Sequence, residues 1–208
     1  FTGQVWLFSR GLKTPRGGGT LAACFFDERS SYMTTGDSGV VIRIATDADV
    51  PALDTLARGM GQVHEAGYFA RCLHEQAEGR RQIFLALDDA TGMLAGYVQL
   101  NDYPLYAPFR RFGMPEIQDL NVLPDYRQRG IGARLVAYCE EVARAAGKAE
   151  IAISVGLHAS FGAAQRLYVR AGYVPDGAGI AYDDVSVRAG EMRPIDDNLT
   201  LKMTKSLV

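Results

Sequence analysis

An α+β fold on a mixed, mostly antiparallel sheet is predicted for this chain of 208 residues by three features of its sequence. Two runs of strand-forming residues, Gln82–Leu87 and Met93–Leu100, are separated only by Asp88-Asp89-Ala90-Thr91-Gly92, residue types that favour a turn, so they read as a hairpin. Beyond the hairpin, strands and amphipathic helices alternate, which calls for some parallel pairing. Near the end, Leu199–Thr204 alternates apolar and polar residues, as a half-buried closing strand does.

Taken in order, Val40-Val41-Ile42-Arg43-Ile44 is a β-branched strand. Asp47 and Asp49 supply N-cap candidates and Pro51 suits a first helical turn, after which Leu53, Leu56, Ala57 and Met60 continue at helical spacing. A second helix carries Phe69, Cys72, Leu73 and Gln76 on one face and ends near Gly79. After the hairpin, Asp102–Pro115 is rich in proline and aromatics and reads as a loop; Glu116–Leu123 is a strand that stops at Pro124. Gly130–Ala146 is a helix with Ile131, Leu135, Tyr138 and Val142 inward and Gly147 as its C-cap. Ile151–Val155 is a buried-type strand, Ala163–Ala171 a short helix, and Tyr173-Val174 opens another strand. The order β-α-α-β-β-β-α-β-α-β-β gives a sheet of about seven strands flanked by about four helices.

With 48% hydrophobic and 22% charged residues the composition is that of a globular protein. A domain of this size buries roughly 70% of its unfolded surface without metal or disulfide staples. The net charge of −2 argues against a general nucleic-acid binder, whose surface must be basic to neutralise phosphates. No apolar run approaches the ~20 residues of a membrane span. Cys24, Cys72 and Cys139 form no CxxC pair and read as buried thiols in a reducing cytoplasm. Residues 1–39 begin at Phe1, include Gly17-Gly18-Gly19, and read either as a loosely ordered arm or as leader sequence ahead of a start at Met33. Residues 40–208 form the folded domain.

The stretch with chemical content runs from Leu120 to Ala133, Leu-Asn-Val-Leu-Pro-Asp-Tyr-Arg-Gln-Arg-Gly-Ile-Gly-Ala. A strand enters a turn with two glycines, and a helix begins there. The N–H groups of a helix's first turn point outward with partial positive charge. Glycines admit a phosphate close to that backbone, and Arg127 and Arg129 add formal charge. The same residues also fit a tight strand–helix turn with no ligand. A dinucleotide fingerprint is excluded, because Leu135 stands where a third glycine is needed and the motif comes late in the chain. A nucleotide P-loop lacks its Gly-Lys-Ser/Thr.

Arg127-Gln128-Arg129-Gly130-Ile131-Gly132, after a Leu-x-Val-x-Pro strand, resembles the R/Q-x-x-G-x-G/A signature of the GNAT acetyltransferases. Downstream, Ala164-Gln165-Arg166-Leu167-Tyr168-Val169-Arg170-Ala171-Gly172-Tyr173 is similar to that family's A-x-x-L-Y-x-x-x-G-F/Y segment. The resemblance spans about Val40 to Thr204. It implies the GNAT fold and an N-acetyltransferase with acetyl-CoA as co-substrate and no metal.

Under that resemblance the backbone of Leu120, Asn121 and Val122 would pair with the pantetheine arm and acetyl carbonyl. Arg127, Gln128, Arg129, Gly130, Ile131, Gly132 and Ala133 would hold the pyrophosphate, with both glycines indispensable. Glu116 matches the family's general-base glutamate, and strict alternation puts Glu116, Gln118, Leu120 and Val122 on one face with Asp119 on the other. The glutamate that other members carry on the following strand falls at Gly156, and His158 just beyond is a second candidate for proton relay. Tyr168 falls at the family's general acid. Ordinary phenol and thiol pKa values of about 10 and 8.5 make that proton transfer unfavourable by about 2 kcal/mol. Both residues also fit plain structural roles, Glu116 as a solvated strand start and Tyr168 as a core tyrosine. Phe161 replaces the asparagine that often precedes this tyrosine by seven residues, so a pantetheine hydrogen bond is lost or moves to Ser160.

On the acceptor side, Asp102–Pro115 carries Tyr103, Tyr106, Phe109 and Phe112 and is either a loop packed on the core or a wall of the acceptor site. Asp176–Asp197 is an acidic segment, either a solvated loop or a rim that favours a cationic amine. The expected partner is a small-molecule or peptide amine, with no nucleic acid and no membrane, and a homodimer is expected. A non-catalytic acyl-CoA sensor and a transferase using a longer acyl donor are the competing readings. The joint presence of Glu116 and Tyr168 favours a catalyst, since a sensor needs no proton-transfer groups.

Overall fold

The computed structural model describes residues 39–62 and 64–208; the expected N-terminal arm up to residue 38, with Cys24, lies outside them. The elements are β1 (Val40–Ile44), α1 (Val50–Gly59), α2 (Tyr68–Ala77), β2 (Arg81–Asp88), β3 (Leu94–Asn101), α3 (Ala107–Arg111), β4 (Glu116–Val122), α4 (Ile131–Ala145), β5 (Glu150–Gly156), α5 (Gly162–Arg170), β6 (Val174–Tyr182), β7 (Val185–Ser186) and β8 (Leu199–Ser206). Every strand and helix expected from the sequence is present. The additions are α3, inside the segment expected to be loop, and the two-residue β7. Both are too short to show a period. Pro108 opens α3, whose Phe109 is buried.

The strands form one sheet in the order β1-β2-β3-β4-β5-β8-β6-β7. All neighbouring pairs are antiparallel except β4 and β5, which are parallel. β2 lies inside the sheet with both faces covered, which is why its sequence is a continuous apolar run. Ile83 and Leu85 pack beneath α1 and α2 with Leu53, Leu56, Phe69, Leu73 and Tyr97. Phe84 and Ala86 face the other way, into the larger core with Ile131, Leu135, Cys139 and Ile153. Cys72 and Cys139 are both buried free thiols. No helix among the described residues is long and apolar enough to cross a membrane.

β4 departs from strict alternation. Gln99 pairs with Gln118 and Tyr97 with Asn121, so one β3 residue, Val98, faces two on β4, Asp119 and Leu120. This is a β-bulge, and Asp119 takes the left-handed φ of 49°. The phase flips there. Ile117, Leu120 and Val122 pack into the core beside α4, whereas Gln118, Asp119 and Asn121 hydrogen-bond on the α1–α2 side. The expected shared face for Glu116, Gln118, Leu120 and Val122 is therefore wrong, and Asp119 joins Glu116 on the side first denied to it.

Ahead of α1, Thr46 and Asp49 form a capping box, with the Thr46 N–H donating to Asp49 Oδ2 at 2.8 Å. Arg43 donates two bonds of 2.8 and 2.7 Å to the same carboxylate. These donors, the Arg43 guanidinium first, hold the Asp49 pKa down at about 2. A depressed carboxyl stabilises the fold above its unfolded pKa, and that contribution disappears as pH falls from about 4 through 2. We expect Arg43→Ala to cost about 1 kcal/mol at neutral pH, the pair being partly solvated. Denaturant midpoints for parent and variant should converge by about pH 2.

Candidate active site

Parallel pairing of β4 and β5 covers only Glu116↔Ala152 and Ile117↔Ile153. Beyond Ile117 the strands diverge, and the β4 backbone from Asp119 to Val122 loses its partner on that side. Two cavities of about 790 and 690 Å³ open along this gap. Met60, Leu120, Asn121, Phe161 and Ala164 line both, so the cavities meet at the splayed half of β4.

The smaller cavity holds the glycine turn. Gln128 and Gly130 have φ of 62° and 76°, and α4 starts at Gly130 with no side-chain cap. Its first-turn N–H groups therefore face the cavity without a capping oxygen. Gly130 has a conformational reason to be glycine. Gly132 does not: a Cβ there would meet Leu167, Leu120 and Val122 side chains at 3.5–3.9 Å, ordinary contact distances. Any need for glycine at 132 therefore comes from the close approach of a ligand and not from the packing of the chain. Leu120, Asn121, Val122, Arg127, Gln128, Gly130, Ile131, Gly132 and Ala133 all line this cavity. Arg129 does not; its guanidinium donates to the Asp125 carbonyl at 2.9 Å and lies over the Tyr126 ring. Arg166 and Arg170 of α5 supply cationic lining that the sequence reading missed. A helical period marks them as a surface stripe, and only the docking of α5 beside α4 turns them to the turn.

The larger cavity is built around carboxylates. Glu116 is 1% exposed, so the solvated strand start is overturned. It accepts from Gln118 Nε2 at 2.8 Å and from Ser154 Oγ, and Lys202 Nζ lies 3.9 Å from it. Lys202, itself buried, donates to Ser154 Oγ at 2.8 Å and to Asp184. Burial pushes the Glu116 carboxyl up, and the Lys202 ammonium opposes that rise. Nothing in the local sequence pointed to Lys202, because β8 register alone sets it opposite Ser154. A serine inside the apolar run of β5 was the one visible clue.

Asp119 Oδ2 accepts from the Tyr68 hydroxyl at 2.5 Å and from Gln99 Nε2 at 2.8 Å. Asn121 donates to the Tyr97 hydroxyl at 3.1 Å and accepts from Gln62 at 3.0 Å. Tyr168 on α5 lines the same cavity, and burial pushes its pKa up to about 12. Against a thiol near 8.5, full transfer of its proton is uphill by about 5 kcal/mol. That corrects the smaller penalty expected from an ordinary phenol.

His158 lines neither cavity. Its ring bridges Asp197 Oδ1 at 2.7 Å and Ser160 Oγ at 2.9 Å in the loop ahead of α5. The two departures from the family pattern, Gly156 and Phe161, are one packing unit. A Cβ on Gly156 would fall 2.4 Å from the Phe161 ring, so the aromatic occupies the space a residue 156 side chain would need. The aromatic segment 102–115 forms no wall of either cavity. Tyr106 and Phe109 pack into a small core with Ala152 and Ala181, and Tyr103 and Phe112 are exposed. Of the acidic segment, Asp183, Asp184 and Asp197 reach the larger cavity. Among the described residues no three His, Cys, Asp or Glu side chains converge as a metal site.

The sequence model of the Acetyltransferase (GNAT) family matches residues 51–173, which span α1 through α5 and both halves of the splayed pair. The chain belongs to the GNAT acetyltransferase family. As a GNAT protein it is an acetyl-CoA-dependent N-acetyltransferase. No curated protein matches the sequence. Solved structures share the fold. The ribosomal-protein-alanine N-acetyltransferase of Brucella melitensis is 21% identical with a TM-score of 0.59, covering 79% of this chain and 98% of its own. A phosphinothricin acetyltransferase from Sinorhizobium meliloti, in complex with acetyl-CoA, is 17% identical with a TM-score of 0.59 over 81% and 88%. The spermidine N-acetyltransferase of Vibrio cholerae, in complex with CoA and spermine, is 14% identical with a TM-score of 0.60 over 82% and 96%.

Two stability measurements test this GNAT site. Gly156→Ala should cost about 1–3 kcal/mol through overpacking, and nearly nothing in a Phe161→Ala background; equal costs in both backgrounds would refute the contact. Gly130→Ala should cost about 1–2 kcal/mol for its left-handed backbone, while Gly132→Ala leaves the melting temperature within about 2 °C of the parent.

Proposed function

We propose that this GNAT protein acetylates a primary amine of a small molecule or peptide, with Glu116 as general base and Tyr168 as the donor to the leaving sulfur. The observation that carries the reading is the meeting of two chemically different cavities at Leu120 and Asn121. One offers uncapped N–H groups and arginines to a phosphate-bearing donor. The other offers the carboxylates of Glu116, Asp119, Asp183, Asp184 and Asp197 against the single ammonium of Lys202, a field that favours a cationic amine. Residues of the glycine turn, with Leu120, Asn121 and Val122, hold the donor in this proposal.

Acetyl-CoA, when bound, supplies an acetyl thioester and a thiolate leaving group. The residues of this chain do the rest. The unpaired β4 backbone orients the carbonyl, because its N–H and C=O groups have no strand partner on the β5 side. Glu116, lifted by burial above the ordinary carboxylate range, accepts the proton that an ammonium must lose before it can attack. Tyr168 stays protonated through the working pH range and stabilises the sulfur by hydrogen bonding, full proton release being costly. A homodimer belongs to the same proposal, and the mass of the particle in solution tests it.

Release of CoA thiol from acetyl-CoA, followed over a panel of small amines, amino acids and peptides, tests the function. We expect release that depends on the acceptor, weakened at least tenfold by Tyr168→Phe. Glu116→Gln should move the acidic limb of kcat/KM to higher pH, because attack then waits for amine that solvent has deprotonated. The basic limb should show no loss from phenol ionisation up to about pH 10, given the Tyr168 pKa of about 12. Unchanged rates in both variants would remove Glu116 and Tyr168 from these roles. Absence of release for every acceptor, while acetyl-CoA raises the melting temperature, would leave an acyl-CoA-binding module instead.

A further inference from the structure

We infer that Asp119 is the residue that holds the acceptor's ammonium group, and that the acceptor enters the larger cavity as a cation. The inference deepens the proposed acetyl transfer and rests on it for the place of the amine in the reaction. It stands on a charge account of the cavity. Glu116 and Asp184 share the Lys202 ammonium. Asp197, hydrogen-bonded to His158, and Asp183 are both exposed to water. Asp119 is half-buried, and among the described residues no Lys, Arg or His lies within ion-pair distance of it.

A carboxylate taken partly out of water without a cation is costly unless donors replace its hydration. Here both donors, the Tyr68 hydroxyl and Gln99 Nε2, converge on one oxygen, Oδ2. Among the described residues Oδ1 has no hydrogen-bond partner, and it belongs to a residue that lines the cavity. The backbone is strained to present it: φ of 49° at a non-glycine residue persists only where the surroundings impose it. Without the bulge, alternation would turn this side chain toward the α4 core.

Independent polar atoms point to a ligand in the same cavity. His64 stacks on Tyr68 with ring centroids 4.1 Å apart and lines the cavity, and its Nε2 is buried with no hydrogen-bond partner among the described residues. Thr200 Oγ1, on the opposite strand β8, is buried and unpartnered in the same lining. An alkylammonium carries three N–H donors and matches such a set of acceptors. A neutral or anionic acceptor would leave Asp119 with its charge uncompensated. Asp119 binds in this scheme, and Glu116, already supplied with its own cation, is left to take the proton.

The test measures binding and turnover on the same full-length protein. Calorimetry follows n-butylammonium and 1,4-diaminobutane binding to the CoA-loaded protein for the parent, Asp119→Asn, Tyr68→Phe and Asp183→Asn. We expect Asp119→Asn to weaken both probes at least tenfold, Tyr68→Phe to weaken them several-fold by freeing the carboxylate to turn, and Asp183→Asn, at the exposed rim of the cavity, to weaken them clearly less than Asp119→Asn. Acetyl-CoA affinity should be unchanged in all three. In steady state, Asp119→Asn should raise the acceptor KM tenfold or more. Should Asp119→Asn fail to fold, the Tyr68→Phe measurement decides alone.

Probe affinity and acceptor KM within twofold of the parent in Asp119→Asn would overturn the assignment. So would equal weakening by Asp183→Asn, which would mean a diffuse acidic field, or no binding of either probe to the parent at millimolar concentration. Probe binding that depends on Asp119 without CoA release would keep the ammonium site and remove the acetyl transfer. CoA release with a parental KM in Asp119→Asn would do the reverse.

Discussion

β4 pairs with β5 through two residues and then leaves it, and the rest of the site follows from that divergence. A continued parallel ladder would consume the N–H and C=O groups from Asp119 to Val122 and close the gap through which both cavities open. The bulge at Asp119 increases the local twist of β4 and bends it away. At the end of β5, Phe161 is seated against Gly156. The interface of β5 with β8 remains fully paired over seven residues, so the sheet loses nothing elsewhere.

The same bulge divides the labour of the strand. Ile117, Leu120 and Val122 anchor it to the core beneath α4, which holds the glycine turn at a fixed distance from the splayed backbone. Glu116, Gln118, Asp119 and Asn121 are left for the polar side, each held by partners from a different element: Ser154 of β5, Asn101 of β3, Tyr68 of α2 and Gln62 after α1. Side chains held from several directions keep their geometry without a ligand to order them, which is the preorganisation that acyl transfer in water-excluded space needs.

Lys202 shows how a buried charge network is carried by sheet register. Burying an ammonium and two carboxylates costs more than their attraction returns unless hydrogen bonds complete the shell. Ser154 completes it, accepting from Lys202 and donating to Glu116. The aromatic face of Tyr106, 5.1 Å from the ammonium, closes the remaining side. This network fixes the position of Glu116, while burial raises its proton affinity against the opposing pull of Lys202 and Ser154.

Local patterns in the sequence determined the elements: the β-branched run of β1, the Asp88–Gly92 turn, the apolar stripe of α4 with Gly147 in its left-handed C-cap position, and the glycine turn with its family signature. These depend on residues within a turn or two of each other, so the chain carries them openly. The face reached by Asp119, the burial of Glu116 by Lys202, the pairing of Phe161 with Gly156 and the turning of Arg166 and Arg170 to the cradle were decided by tertiary structure alone. Each joins residues that are far apart in sequence or hinges on one extra residue in a ladder. A single bulge shifts every later side chain of a strand to the other face, and no local propensity announces where that residue will be inserted.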